Sequence, residues 1–326
     1  MLRLPPFRYL RPNSVSEAVE ALADHPGESM VIAGGTDLIP YLKRRQFDAN
    51  VLVGLSHLGE LQTISDNGEI AIGAGVSLRD IAGQGSIAKA ATALVEAVQQ
   101  IANPQIQRQG TIGGNLCVDT RCNYYNQTHE WRESIGFCMK RKGDICLVAP
   151  GSSKCWAVTS SDAAPALIAL GASVIIVGTN GERSIPLSAL YQDDGIAYLA
   201  KKPEEILSRI LIPKTNGLKS TYRKVRRRGS FDFPVLGVAA SLSMDGSKVS
   251  TARLVLGAVH THPIIVEVAS LLEGRTLTDD RLRAVADAAF KAATPLDNTD
   301  LMYAWRKKMV RVEVERAFQE LATRGT

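Results

Sequence analysis

The residues best equipped for chemistry in this chain are Cys117, Cys122, Cys138, Cys146 and Cys155, which all fall in one stretch and are the only five cysteines among 326 residues. The gaps between them are x4, x15, x7 and x8. Crowding of this kind points to a task that needs thiolates. The opening Met1-Leu-Arg-Leu-Pro-Pro-Phe has no uninterrupted apolar run of the sort that directs export, so a cytoplasmic protein is expected. There, a cysteine cluster is more often metal-binding or catalytic than a disulfide framework. Structural zinc sites present paired C-x(2–4)-C knuckles, and only Cys117-x4-Cys122 comes near that form. The C-x2-C-x2-C run of ferredoxins is missing too. Spacing alone leaves iron–sulfur, zinc and unliganded thiols open.

Two glycine pairs are the next candidates: Ala33-Gly34-Gly35-Thr36-Asp37 and Thr111-Ile112-Gly113-Gly114-Asn115. Each follows a strand-like run, and the first also precedes a probable helix. Glycines in such a turn let backbone N–H groups approach a ligand closely, and a helix N-terminus favours phosphate. Thr36, Thr111 and Asn115 add short polar groups suited to a pyrophosphate or a ribitol chain. Two tight turns with no ligand would look the same. Gly73-Ala-Gly75 lacks the third small residue of a dinucleotide fingerprint, and neither a P-loop nor a nucleophile elbow occurs. The five histidines show no regular metal spacing; His260-Thr-His262 is the one pair that could chelate from a strand. No acid–base or nucleophilic constellation stands out, so no catalytic residue is assigned.

The elements that must position these groups follow from local pattern. Ser14 to Glu17 reads as a capping box before a helix through Val19 and Leu22. Met30 to Ala33, Val51 to Gly54 and Glu69 to Ile72 read as strands, as does Gln109 to Leu116. Helices are expected over Leu38 to Arg45, Leu78 to Ala82, Ala90 to Ile101 and Ala163 to Leu170, the last with Pro165 in its first turn. The cysteine region has no clear period and reads as irregular chain. Strands are expected at 172–177, 206–212, 236–244 and 252–257, and helices at 264–272, 279–293 and 303–321. Mixed strands followed by helices favour α+β domains. A boundary is expected near residue 215.

A composition of 45% hydrophobic and 22% charged residues is that of a globular protein with ample core. No apolar run reaches the roughly 18 residues of a membrane span. The net charge of +5 is mild, and its densest patch, Lys224 to Arg228, reads as a solvated face or a site for a phosphate or an acidic partner. With 6% aromatics and no recognisable module, nucleic-acid binding is not expected.

Seven short segments occur in a familiar order. They are Pro6-Phe-Arg-Tyr-Leu-Arg-Pro, Ala33-Gly-Gly-Thr-Asp-Leu, Thr111-Ile-Gly-Gly-Asn-Leu, Ser161-Asp-Ala-Ala-Pro-Ala-Leu, Phe231-Asp-Phe-Pro, Ala252-Arg-Leu-Val-Leu-Gly and Leu272-Glu-Gly-Arg-Thr-Leu. Together they resemble the FAD-binding subunits of the xanthine dehydrogenase family of molybdenum hydroxylases, over essentially the whole chain. The resemblance implies an α+β fold: a bipartite FAD-binding domain of the vanillyl-alcohol-oxidase (PCMH) type over 1–215, then a flavoprotein domain over 216–326. It implies that Ile32, Ala33, Gly34, Gly35, Thr36, Asp37 and Leu38 wrap the FAD pyrophosphate, joined by Thr111, Gly113, Gly114 and Asn115. Asp162 would meet the ribose or ribitol hydroxyls and Lys224 the flavin ring; Asp119 is a weaker candidate for FAD.

Members of that family usually pass from Gly-Gly-Asn to Asp-x-x-Pro-Ala-Leu within a dozen or so residues, whereas Asn115 and Asp162 lie 47 positions apart (162 − 115). An insertion of roughly 35–40 residues, about 119–157, is implied, far beyond a connection of ~4–6. Its sequence, with Gly113-Gly-Asn-Leu-Cys-Val-Asp-Thr-Arg-Cys-Asn-Tyr-Tyr-Asn-Gln and Gly136-Phe-Cys-Met-Lys, is similar to the β subunits of 4-hydroxybenzoyl-CoA reductases. Those carry a [4Fe–4S] cluster on an inserted loop. The resemblance makes Cys122, Cys138, Cys146 and Cys155 the ligands and leaves Cys117 out. It implies an electron-transfer flavoprotein subunit of an enzyme that removes a phenolic hydroxyl to give benzoyl-CoA. Its partners would be a molybdenum large subunit and a small subunit with two [2Fe–2S] clusters, in a dimer of heterotrimers fed by a ferredoxin-type donor. Alternatives are a molybdenum hydroxylase for another aromatic or heterocycle, a flavoprotein with a zinc-stapled loop, and a free-standing flavin oxidase.

Overall fold

The computed structural model describes residues 2–324. Three sheets follow one another along the chain. The first is parallel, with strands β1 (Arg8–Leu10), β2 (Ser29–Ile32) and β3 (Val51–Gly54) in the order β1-β3-β2. The helix Val15–Ala23 crosses between β1 and β2, and Val15, Ala18, Val19 and Leu22 pack beneath it. Ser14 caps it, its hydroxyl accepting from the Glu17 N–H, while the Glu17 carboxylate accepts from the N–H of Asn13.

The second sheet is antiparallel. Its strands β4 (Ile64–Asn67), β5 (Glu69–Gly73), β6 (Ser173–Gly178), β7 (Gly181–Pro186) and β8 (Ile206–Pro213) run in the order β4-β5-β8-β6-β7. Its inner face packs on the helices Leu78–Gly83, Thr92–Gln99 and Ala163–Ala169, every residue of the last being buried. β5 and β8 are direct neighbours although some 130 residues separate them; the stretch containing both the second glycine pair and the cysteines is looped out between β5 and β6. The third sheet joins β9 (Lys219–Val225), β10 (Leu236–Asp245), β11 (Lys248–Gly257) and β12 (Ile264–Val266) in the order β12-β11-β10-β9. The helices Asp279–Ala292 and Tyr303–Thr323 cover it with a separate apolar core. The whole is α+β, as expected.

Two local expectations are corrected. Residues 112–116 form a helical turn, Ile112–Leu116, because Thr111 caps it and Ile112 and Leu116 bury the same side four positions apart. Residues 264–266 pair with β11 as a strand, and only Ala269–Leu272 is helical. No helix among the described residues is long and apolar enough to cross a membrane.

Candidate functional site: a flavin cradle beside a four-cysteine loop

The first glycine motif leaves β2 and enters the helix Leu38–Lys43. Gly35 has φ +68, a conformation that favours glycine, and a Cβ on Gly34 would stand 1.9 Å from the carbonyl oxygen of Gln109. The two glycine motifs therefore lie backbone against backbone. In the second, the Thr111 hydroxyl accepts from the Gly114 N–H at 3.1 Å, and a Cβ on Gly113 would meet that of Ala74 at 2.7 Å. The Thr111 oxygen is thus partly engaged in capping. Asn115 Oδ1 accepts from Ser161 Oγ at 2.8 Å and from the Ala163 N–H at 3.2 Å, which fastens the motif to the segment holding Asp162. Backbone thus packs closely on backbone at these glycines, and the paired turns form the candidate cradle for an extended diphosphate.

Asp162 and Lys224 meet each other. Asp162 Oδ2 accepts from Lys224 Nζ at 2.9 Å and Oδ1 from the Tyr222 hydroxyl at 2.7 Å, and both side chains are nearly inaccessible. Burial pushes the Asp162 carboxyl up and the Lys224 ammonium down; each holds the other's charge against that tendency. Lys224 also donates to the Gln100 carbonyl. The basic run from 224 is not one solvated face: Lys224 is internal, Arg226 donates to Gln100 O, and Arg227 and Arg228 pair with Asp300 and Asp232.

The inserted loop is folded, with its own small apolar core around Cys122, Tyr125, Cys138, Cys155 and Ala157. Cys122, Cys138, Cys146 and Cys155 are all buried, and Cys117 is half-buried. Burial pushes the Cys122 thiol up to about 12 against the pull of the Tyr124 N–H, and the other three loop cysteines are close enough to push it up as well. Cys117 sits instead beside Lys201 and Tyr191. Cys122, Cys138 and Cys155 share one interior, and Cys146 is near enough to Cys122 to act on it. The turns around Cys138 are tight: Phe137 and Lys142 have φ of 60 and 71, and Arg141 and Gly143 both donate to the Cys138 carbonyl.

Long-range contacts sequence could not supply tie the loop to the flavin side. Arg132, 1% exposed, donates to the carbonyls of Arg44 and Arg45, directly after the helix that leaves the first glycine motif. Gln46 donates to Tyr125 O. Arg121 lies over the Phe233 ring at 3.8 Å and within reach of Tyr41. Asn298, fully buried, accepts from the Asn123 N–H and donates to Trp156 O. Asp119, expected near FAD, accepts at Oδ1 from Lys140 Nζ at 2.7 Å. A small cavity of about 80 Å³ opens against Cys122, lined also by Arg121, Asn126, Ser160, Phe233 and Thr299. Asn126 Nδ2, Ser160 Oγ and Thr299 Oγ1 are buried without a partner there. His260 and His262 converge on Asp193, but Lys154 and Thr261 already hold that carboxylate, so the group is a polar knot at the end of the loop.

This cradle and fold define a flavoprotein class. Residues 5–215 match the FAD binding domain in molybdopterin dehydrogenase, and residues 220–321 match the CO dehydrogenase flavoprotein C-terminal domain. The chain belongs to the family of FAD-binding medium subunits of molybdenum hydroxylases and dehydrogenases, and is an oxidoreductase subunit. It is 31% identical to the aldehyde oxidoreductase FAD-binding subunit PaoB of Escherichia coli, over 95% of this chain and 98% of that one. It is 29% identical to the carbon monoxide dehydrogenase medium chain of Afipia carboxidovorans, over 98% of each. The solved structure of reconstituted CO dehydrogenase from Oligotropha carboxidovorans superposes with a TM-score of 0.82 at 26% identity, over 99% of this chain and 100% of that one.

Proposed function

We propose that this chain relays electrons between FAD and a [4Fe–4S] cluster, inside a molybdenum enzyme whose substrate is turned over on another subunit. FAD would rest on residues 32–38 and on Thr111, Gly113, Gly114 and Asn115, with Asp162 towards the ribose or ribitol hydroxyls and Lys224, paired with it, near the flavin ring. The cluster would be held by Cys122, Cys138, Cys146 and Cys155. When bound, the two groups exchange single electrons; the chain's own part is to fix their separation and the polarity around each.

The observation that carries the reading is the gathering of four buried thiols in one inserted loop, with Cys138, Cys155 and Cys146 all near enough to Cys122 to act on it. The sequence likeness of the loop to 4-hydroxybenzoyl-CoA reductase β subunits is the whole support for reductive dehydroxylation. The curated relatives are named for aldehydes, carbon monoxide and nicotine, and favour a hydroxylase or dehydrogenase with a different substrate. In either case a molybdenum large subunit and a [2Fe–2S] small subunit would complete the assembly, with a ferredoxin-type protein as donor at the loop in the reductase reading.

The test is metal and flavin analysis of anaerobically purified protein. About four iron and four sulfide per FAD is the expected result, and stoichiometric zinc without iron would overturn it. Cys138→Ser should abolish the cluster signal and leave FAD bound, since the two cradles share no residue.

A further inference from the structure

The loop holds one buried ammonium that the relay as described does not use. Lys140 lies two residues beyond Cys138, and its side chain is 5% exposed. Its Nζ donates to Asp119 Oδ1 at 2.7 Å, to Thr120 Oγ1 at 2.8 Å and to the Gly195 carbonyl at 2.5 Å. The rings of Tyr125 and Tyr198 flank it at 4.9 and 5.4 Å. Gly195 in turn donates its N–H to Cys155 O at 2.9 Å. Its Cα lies so near that a Cβ would stand 2.7 Å from Cys155 Sγ. The ammonium is thus fixed in one place, two residues from Cys138 and on the carbonyl of the glycine that packs against Cys155.

A buried ion pair is a poor device for anchoring alone, because an apolar pair of similar volume often serves as well or better. What an apolar pair cannot provide is a fixed charge. Adding an electron to an iron–sulfur group bound by four thiolates adds negative charge, and a cation held nearby at low dielectric favours that step. We propose that Lys140 is a positioning residue for electron transfer, whose charge raises the reduction potential of the group held by Cys122, Cys138, Cys146 and Cys155 while Asp119 limits that rise. The inference rests on the loop being an iron–sulfur site.

Redox titration followed by electron paramagnetic resonance tests it, on anaerobically purified protein with iron measured in each sample. Lys140→Met should lower the midpoint potential, Asp119→Asn should raise it, and the double variant should fall between the two. Lys140→Arg, which keeps the charge, should stay close to the unaltered protein. If Lys140→Met sheds its cluster, Lys140→Gln and Asp119→Asn carry the comparison, and opposite shifts are again expected. Full iron content with unshifted potentials, or shifts of the same sign in both single variants, would overturn this inference and leave the relay standing. Unaltered protein free of iron would overturn both.

Discussion

Gly34 and Gly195 are both places where a single methyl group has nowhere to go, yet they should fail in different ways. At Gly34 the obstacle is the Gln109 carbonyl at 1.9 Å, which is backbone and cannot swing aside. Gly34→Ala should part the two glycine motifs, and the purified protein should lose its flavin absorbance while retaining iron. At Gly195 the obstacles are Cys155 Sγ at 2.7 Å and the Ala157 N–H at 2.8 Å. Gly195→Ala should displace Cys155, so iron per FAD should fall with the flavin still present. Equal loss of both cofactors in either variant would show that the cradles are not separable. Gly34 was visible in the sequence because it sits in a paired motif next to a strand. Gly195 was not: it lies 40 positions after Cys155 (195 − 155), in a segment with no distinguishing pattern. Lys140 was hidden for the same reason, since nothing local distinguishes a buried lysine from its exposed neighbours.

Secondary elements were legible where burial and period agreed, as in Val15–Ala23 with its Ser14 cap or the long strands β10 and β11. They were misread where a short apolar run fits both periods. Thr111 to Leu116 holds two glycines between apolar residues, and only the capping bond from Gly114 to the Thr111 hydroxyl decides for a helix. β9 and β7 were not anticipated because, with polar residues such as Lys219, Ser220 and Glu182, neither strand alternates in burial, and only pairing reveals them. The inserted loop shows the same limit at larger scale. Its irregular chain was anticipated except for the short helix His129–Ser134, capped by Thr128, and its supports come from other elements: Arg44, Arg45 and Gln46 on one side, Asn298 on the other. Asn298→Ala leaves the Trp156 carbonyl without its 2.6 Å donor in a half-buried place. A cost of about 1 kcal/mol follows, the low end for an unmet acceptor, because water can reach this carbonyl in part. Urea unfolding should report that loss, and the cluster signal should bleach earlier in the titration than flavin fluorescence rises.

At the scale of the molecule, the loop is a bridge between the flavin-bearing sheets and the third sheet with its two helices, and the bridge ends in a charged knot. Lys154 Nζ holds Asp193 at 2.5 Å, Thr261 donates to the same oxygen at 2.6 Å, and His260 packs its ring edgewise on Trp156 at 5.4 Å. Burial, and then His262, depress His260 from its ordinary 6.5 to about 4, while Asp193 pulls weakly the other way and Lys154 adds to the fall. The sign follows from proton uptake: below pH about 6.5 an unfolded chain protonates this imidazole, and the folded protein does not until about pH 4. Stability should therefore decline as pH falls through that window. His260→Phe keeps a ring against Trp156 and has no proton to accept. The gap in unfolding midpoint between the unaltered protein and this variant should narrow, or reverse, from pH 7 to pH 5 as the histidine's contribution turns against folding. A gap that stays constant would mean that the knot is held by packing alone, and that acid reaches the loop by another route.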